Sequence, residues 1–221
     1  MNKDDLNIQI EYHFSSGLGP REEYRYIKSV TALIFNGEYA DNDFNDLIGK
    51  LRFKILYINN AKNDGFDIFQ LFDTYEYTFR HGESFYDFRE IDFKKALYKH
   101  YDGMLFNENF CIIETMTLLP QYRGMQLGPK LFKDIVYHFS GDCTLFMLQP
   151  YPLQFEVETE ECEERKKIEL NSFERNKNKA FKKLTAYYES WGLQKVKGIK
   201  DLLFYNTEVQ NEKFDQINLE D

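Results

Sequence analysis

An α/β or α+β fold is predicted by two periodicities and one order of elements. Residues 47–59, "LIGKLRFKILYIN", put Leu51, Phe53, Ile55 and Tyr57 on alternate positions, the period of a half-buried strand. Leu127, Leu131, Ile135 and the stretch Tyr137 to Phe139 recur instead at helical steps. Across the C-terminal half such segments follow one another as strand, glycine turn, helix, strand, helix and two closing strands.

In chain order, "DLNIQIEYHF" at 5–14 alternates over Leu6, Ile8, Ile10 and Tyr12 and predicts a strand. "SSGLGP" breaks it; Gly17-Leu18-Gly19 is too short for a dinucleotide fingerprint and reads as a turn. Tyr24 to Asn36 fits strand or helix. The 47–59 strand ends in "NNAKNDG", whose Asn, Asp and Gly supply turn geometry. From Asp67, a candidate N-cap, Ile68, Leu71, Phe72, Tyr75 and Phe79 predict one helix stopping at Gly82, and a short helix is read at Ile91 to His100.

"NFCIIETMTLL" at 109–119 is β-branched and apolar enough for a central strand, which Pro120 ends. After the 127–139 helix, "CTLFMLQPYPLQFE" at 143–156 reads as another strand, stopped by its prolines. Residues 157–178 are charged and read as a solvated helix or loop. Ala180, Leu184, Tyr187, Tyr188 and Trp191 predict an amphipathic helix closed by Gly192, and short strands are read at Leu193 to Val196 and Leu202 to Asn206. The expected organisation is one domain over 1–206 and an acidic, frayed tail over 207–221.

The 221 residues include 21 Phe and 16 Tyr, enough to bury a sizeable core. No window approaches about 18 consecutive apolar residues, and the first residues lack the apolar centre of a signal peptide, so a cytoplasmic chain with no membrane partner is expected. The net charge of -9 opposes binding to nucleic acid or anionic lipid and suits a cationic substrate or partner. Cys111, Cys143 and Cys162 are an odd set without ligand spacing, and His13, His81, His100 and His138 are scattered. Reduced core thiols, surface or core imidazoles and no metal are the expectation.

The most informative stretch is "LPQYRGMQLGPKLF" at 119–132. A strand that delivers its chain into a glycine turn opening a helix makes an anion cradle, because the first amides of the helix lack partners and its dipole adds positive charge. Gly124 and Gly128 allow positive φ or close approach, Arg123 and Lys130 supply charge, and Pro129 is tolerated in a first turn. No Gly-Lys-Ser/Thr follows, so the turn is not a P-loop, and no Gly-x-Gly-x-x-Gly is present.

With Gln121, Arg123 and Gly124 in place, this turn resembles the acyl-CoA-binding motif of the GNAT superfamily of N-acetyltransferases, Gln/Arg-x-x-Gly-x-Gly/Ala. Gln126 departs from the final Gly/Ala, and Leu127-Gly128 restores the usual ending. "LTAYYESWGLQ" at 184–194 resembles the later signature of that family, Tyr-x-x-x-Gly-Phe, with Tyr188 four before Gly192 and Leu193 in place of Phe. The resemblance covers roughly 109–206.

It implies a mixed central sheet flanked by helices, with acetyl-CoA as acyl donor. The pyrophosphate would sit on the turn amides and the pantetheine run beside the central strand, with the backbone of Leu118, Leu119, Arg123, Gly124, Met125, Gln126, Leu127 and Gly128 together holding the thioester donor. The pantetheine arm would enter where the central strand and its neighbour splay, and an amine on a small molecule or protein would attack the thioester directly. Tyr188 is similar in position to the general acid of the family, with Tyr187 beside it; adjacent helical positions point about 100° apart, so one of the two is expected in the cleft. Glu114, the sole carboxylate in "CIIETMT", is the candidate base or else one half of a structural ion pair; alternation puts it on the face of Met116 and Leu118. The alternative is a noncatalytic module that keeps the fold and holds CoA or a protein, or a turn that is only structural.

Overall fold

The computed structural model describes residues 6–14, 21–37, 47–156 and 167–219. The 15–20 turn, residues 157–166 of the charged segment, Cys162 within it and the last two residues lie outside these. Six strands form one mixed sheet: β1 (Ile8–Phe14), β2 (Ile27–Asn36), β3 (Leu47–Leu56), β6 (Phe110–Leu118), β7 (Leu145–Leu148) and β8 (Leu203–Asn206), in the order β1-β2-β3-β6-β7-β8. A two-stranded ribbon joins β4 (Tyr86–Asp87) to β5 (Asp92–Phe93). Neighbours in the large sheet run antiparallel except β6 and β7, which are parallel and linked by α5 (Leu127–Phe139). This is a mixed α/β architecture of the α+β kind, with helices on both faces of the sheet.

Alternation along β6 assigns the two faces. Phe110 and Ile112 pack with Leu71, Phe72, Phe85 and Leu97 from the helices between β3 and β6. These are α1 (Ile58–Asn63), α2 (Ile68–Asp73), α3 (Glu76–Phe85) and α4 (Lys95–His100). Cys111 and Ile113 turn the other way, onto Phe132 and Ile135 of α5 and onto Trp191, which follows α6 (Lys177–Ser190). Both faces are dry and aromatic-rich, and burial of this apolar surface is the main force holding the layers together.

Several elements differ from expectation for identifiable reasons. Tyr24 to Asn36 resolves into a 3-10 turn and β2. "NNAKNDG" opens with α1 rather than a bare turn, since the Asn59 N–H donates to Asn109 Oδ1 at 3.0 Å and its side-chain amide to Asn107 Oδ1 at 3.0 Å. The single helix expected from Asp67 is two: Asp67 caps α2 as predicted, but the Thr78 hydroxyl donates to Phe72 O (2.6 Å) and Tyr75 O (2.8 Å), taking up carbonyls at the break before α3. Residues 91–100 divide between β5 and α4. The strand expected at 193–196 is reduced to one bridge, Gln194 with Phe204 of β8.

The expected frayed tail is anchored as far as Ile217. A short helix, α7 (Glu212–Asp215), carries Phe214 onto Tyr205 (4.3 Å between ring centroids) and Phe132 (5.8 Å), and Lys133 Nζ donates to Ile217 O at 2.5 Å. Asn211 Nδ2 also donates to Gly192 O at 2.8 Å and Lys213 Nζ to Glu189 O at 3.1 Å, so a segment whose composition reads as loose is held by one aromatic anchor and several hydrogen bonds.

Candidate functional site

Two strands part at the centre of the sheet. β6 and β7 pair from Phe110 with Leu145 to Ile113 with Leu148, and there β7 ends. Pro150 and Pro152 have no N–H to continue the ladder, so the chain turns away through 149–152 and the strand expected over 143–156 spans only 145–148. β6 meanwhile stays paired with β3 to Leu118. The Leu119 N–H points to Ile48 O on β3 at 2.8 Å, so alternation turns the backbone groups of Leu118 and Met116 to the opposite, unpaired edge.

The fork widens into a cleft of about 580 Å³ walled by the end of β6, the 122–128 turn, α6 and the 151–154 and 168–174 segments. Leu118, Arg123, Gly124, Gln126, Leu127, Gly128 and Tyr188 all line it. Leu119 faces β3, and Met125 packs against the cluster of Ile34, Ile48, Leu127 and Leu131.

Among the described residues, the N–H groups of Gly124, Met125 and Gln126 meet no hydrogen-bond acceptor, and no side chain caps α5. Gly124 has φ of 77° and Gln126 φ of 61°, both left-handed. Arg123 ahead of Gly124 is extended (φ -77°, ψ 151°), so these amides are unpartnered donors at an uncapped helix start, where a negative charge is favoured. Gly128 is required for a different reason: a Cβ there would lie 2.7 Å from Trp191 Cζ2 and 2.9 Å from Tyr187 Oη. The close approach of α5 to the end of α6 therefore needs glycine.

Arg123 does not point at these amides. Its Nε donates to Leu118 O at 3.1 Å, Nη2 donates to Ile168 O, and the guanidinium lies 4.4 Å from the Phe173 ring centroid. It pins the 168–173 segment over the cleft, and its burial lowers its pKa.

Tyr187 and Tyr188 both line the cleft, contrary to the expectation that only one would. Their rings meet Trp191 at 4.8 and 4.7 Å, so the indole gathers the two onto one side of α6. Burial first, then Tyr187 and Tyr77, push the Tyr188 phenol up, leaving it protonated at neutral pH and able to donate.

Glu114 lies on the other face of the sheet. Arg52 pairs with Thr115 but Phe53 with Ile113, so Glu114 is the extra residue of a β-bulge. The bulge resets the alternation: Glu114 shares the face of Ile112 and Lys54 rather than that of Met116 and Leu118. There it is ion-paired with Lys54 Nζ, which also sits 4.3 Å from the Tyr75 ring centroid.

Among the described residues no group of three or more His, Cys, Asp or Glu side chains converges on a possible metal position, and no helix is long and apolar enough to cross a membrane. Comparison with known proteins returns no matching family model, no matching curated protein and no matching solved structure. Residues that pattern reading missed at this site are Tyr151, Phe173 and the indole of Trp191. Only Trp191 carries a readable signal, its place immediately before Gly192.

Proposed function

We propose that this chain is an acyltransferase of the GNAT type, moving an acetyl group from acetyl-CoA to an amine by direct attack. The observation that carries the reading is one cleft that joins the unpaired edge of β6, the uncapped start of α5 and the Tyr188 phenol. The unpartnered turn amides suit a pyrophosphate. The open edge of β6 offers backbone groups to the amides of a pantetheine arm, as a sheet edge does to an added strand. The cleft volume falls within the range of small-molecule sites.

In this reading the thioester lies at the fork, held so that the amine need only approach. The nitrogen attacks the carbonyl carbon, the C–S bond breaks, and Tyr188 protonates the departing sulfur. Amine-dependent release of free thiol from acetyl-CoA tests it. Tyr188→Phe is expected to lower that rate at least about 100-fold while changing acetyl-CoA affinity little; an unchanged rate removes Tyr188 from the chemistry. The Lys54–Glu114 ion pair favours a second reading, a noncatalytic CoA-holding module, because it occupies the carboxylate expected to serve as base. Acetyl-CoA binding with no turnover on any amine would establish that alternative.

A further inference from the structure

The face of the sheet opposite α5 and α6 brings a second phenol to the fork. Tyr77, on the first turn of α3, accepts a hydrogen bond from the Gln149 N–H at 3.3 Å. Gln149 is the residue immediately after the last paired residue of β7, so Tyr77 Oη stands where the two strands part. The phenol donates to no acceptor among the described residues. Its position is fixed from several sides. The His81 ring meets Tyr77 edge-on at 4.7 Å, Arg80 Nη2 donates to Gln149 Oε1 at 3.4 Å, and the two Thr78 hydrogen bonds hold the start of α3 against the end of α2. Tyr77 is also among the neighbours that raise Tyr188, so the two phenols, from opposite faces of the sheet, lie within electrostatic reach of each other.

We propose that Tyr77 is a catalytic residue that donates its O–H to the acyl carbonyl oxygen as negative charge develops there. The proposal rests on the acyltransferase reading and assigns it a residue outside the motif region. The amine first loses one ammonium proton to solvent. Its lone pair then forms the N–C bond while the C=O pair moves onto oxygen, where the Tyr77 O–H stabilises it without transferring its proton. As the carbonyl re-forms, the C–S bond breaks with its electrons on sulfur. Tyr188 gives sulfur a proton, and the second nitrogen proton restores that phenol. Tyr77 suits a donor that keeps its proton: burial, the largest influence, pushes it up to about 12, against a lowering by the Gln149 N–H.

Tyr77→Phe removes one oxygen and keeps the ring that packs on His81. The test measures three quantities on wild type and on this variant: acetyl-CoA affinity by calorimetry, kcat and KM for thiol release with spermidine and a lysine peptide, and the infrared carbonyl stretch of bound carbon-13 acetyl-CoA. The expected result is unchanged affinity and KM, kcat lower by about 100-fold or more, and a carbonyl stretch that is lowered in wild type and returns upward in the variant. Equal kcat and an identical stretch in both proteins would overturn the role of Tyr77 and leave acyl transfer standing. Wild type that binds no acetyl-CoA would overturn both. Should Tyr77→Phe fail to fold, Gln149→Pro, which deletes the orienting N–H, is expected to weaken the carbonyl shift, and an unmoved stretch there overturns the proposal.

Discussion

Gly128 and Trp191 lie in contact: an added Cβ on the glycine would stand 2.7 Å from Cζ2 of the indole. Gly128 and Trp191 are 63 positions apart in sequence, and this contact joins the glycine turn and the Tyr-x-x-x-Gly helix into two walls of one cleft. Gly128→Ala is therefore expected to lower stability by about 1–3 kcal/mol through overpacking. Urea denaturation measures it; an unchanged midpoint would mean that α5 and α6 are not held at this distance.

At Gln126 the backbone is left-handed in a residue with a side chain, a conformation that costs roughly 1–2 kcal/mol in L-residues other than glycine. Gln126→Gly releases that strain but adds freedom to the unfolded chain. The expected outcome is a gain of up to about 1 kcal/mol, whereas Gln126→Val is expected to lose at least that much. Loss of stability in the glycine variant would contradict the left-handed assignment.

Lys54 is nearly buried, and its ammonium is shared between Glu114 and the Tyr75 ring. Lys54→Met leaves the carboxylate without its cation and is expected to cost about 3 kcal/mol, while Lys54→Met combined with Glu114→Leu recovers most of the loss. A double-mutant cycle checks this; additive losses would show that the pair is not coupled.

His81 gives a pH dependence. Burial first, and then the Arg80 guanidinium, hold its imidazole below the ordinary range, so the unfolded chain binds more protons than the folded chain at mildly acid pH. Its contribution to stability is full above about pH 6.5, the unfolded value, and is lost as pH falls toward the folded value. His81→Gln is expected to flatten the difference between urea midpoints at mildly acid and at neutral pH. An equally steep difference in the variant would place the titration elsewhere.

Much of this architecture was legible because apolar periodicity survives where an element has one buried face. β1, β3, α5 and α6 all carry such a face, and β6, buried on both, was readable instead from its β-branched, apolar run. What periodicity cannot report is a change of phase: the bulge at Glu114 moved that carboxylate to the other side of the sheet, although every neighbouring residue was assigned to the right strand. Nor does it weigh one long-range contact against local composition, which is why Phe214 docks a segment that reads as a frayed tail. At the site, the backbone cradle was visible from glycine and proline chemistry. The aromatic lining was not, because Tyr151 and Phe173 reach the cleft from separate segments and share no spacing.

The central claim, that the glycine turn and fork hold an acyl-CoA, is tested most directly by calorimetric titration of the whole chain with acetyl-CoA, alongside Gly124→Glu and Gly124→Ala. A Cβ at Gly124 meets no atom within 4 Å, so the alanine variant carries the backbone strain alone and the glutamate adds a negative charge beside the amides. Micromolar binding by wild type, weakened in Gly124→Ala and abolished in Gly124→Glu, is the expected result. A folded wild type that takes up acetyl-CoA with no heat and no saturation at any temperature tried would contradict the account.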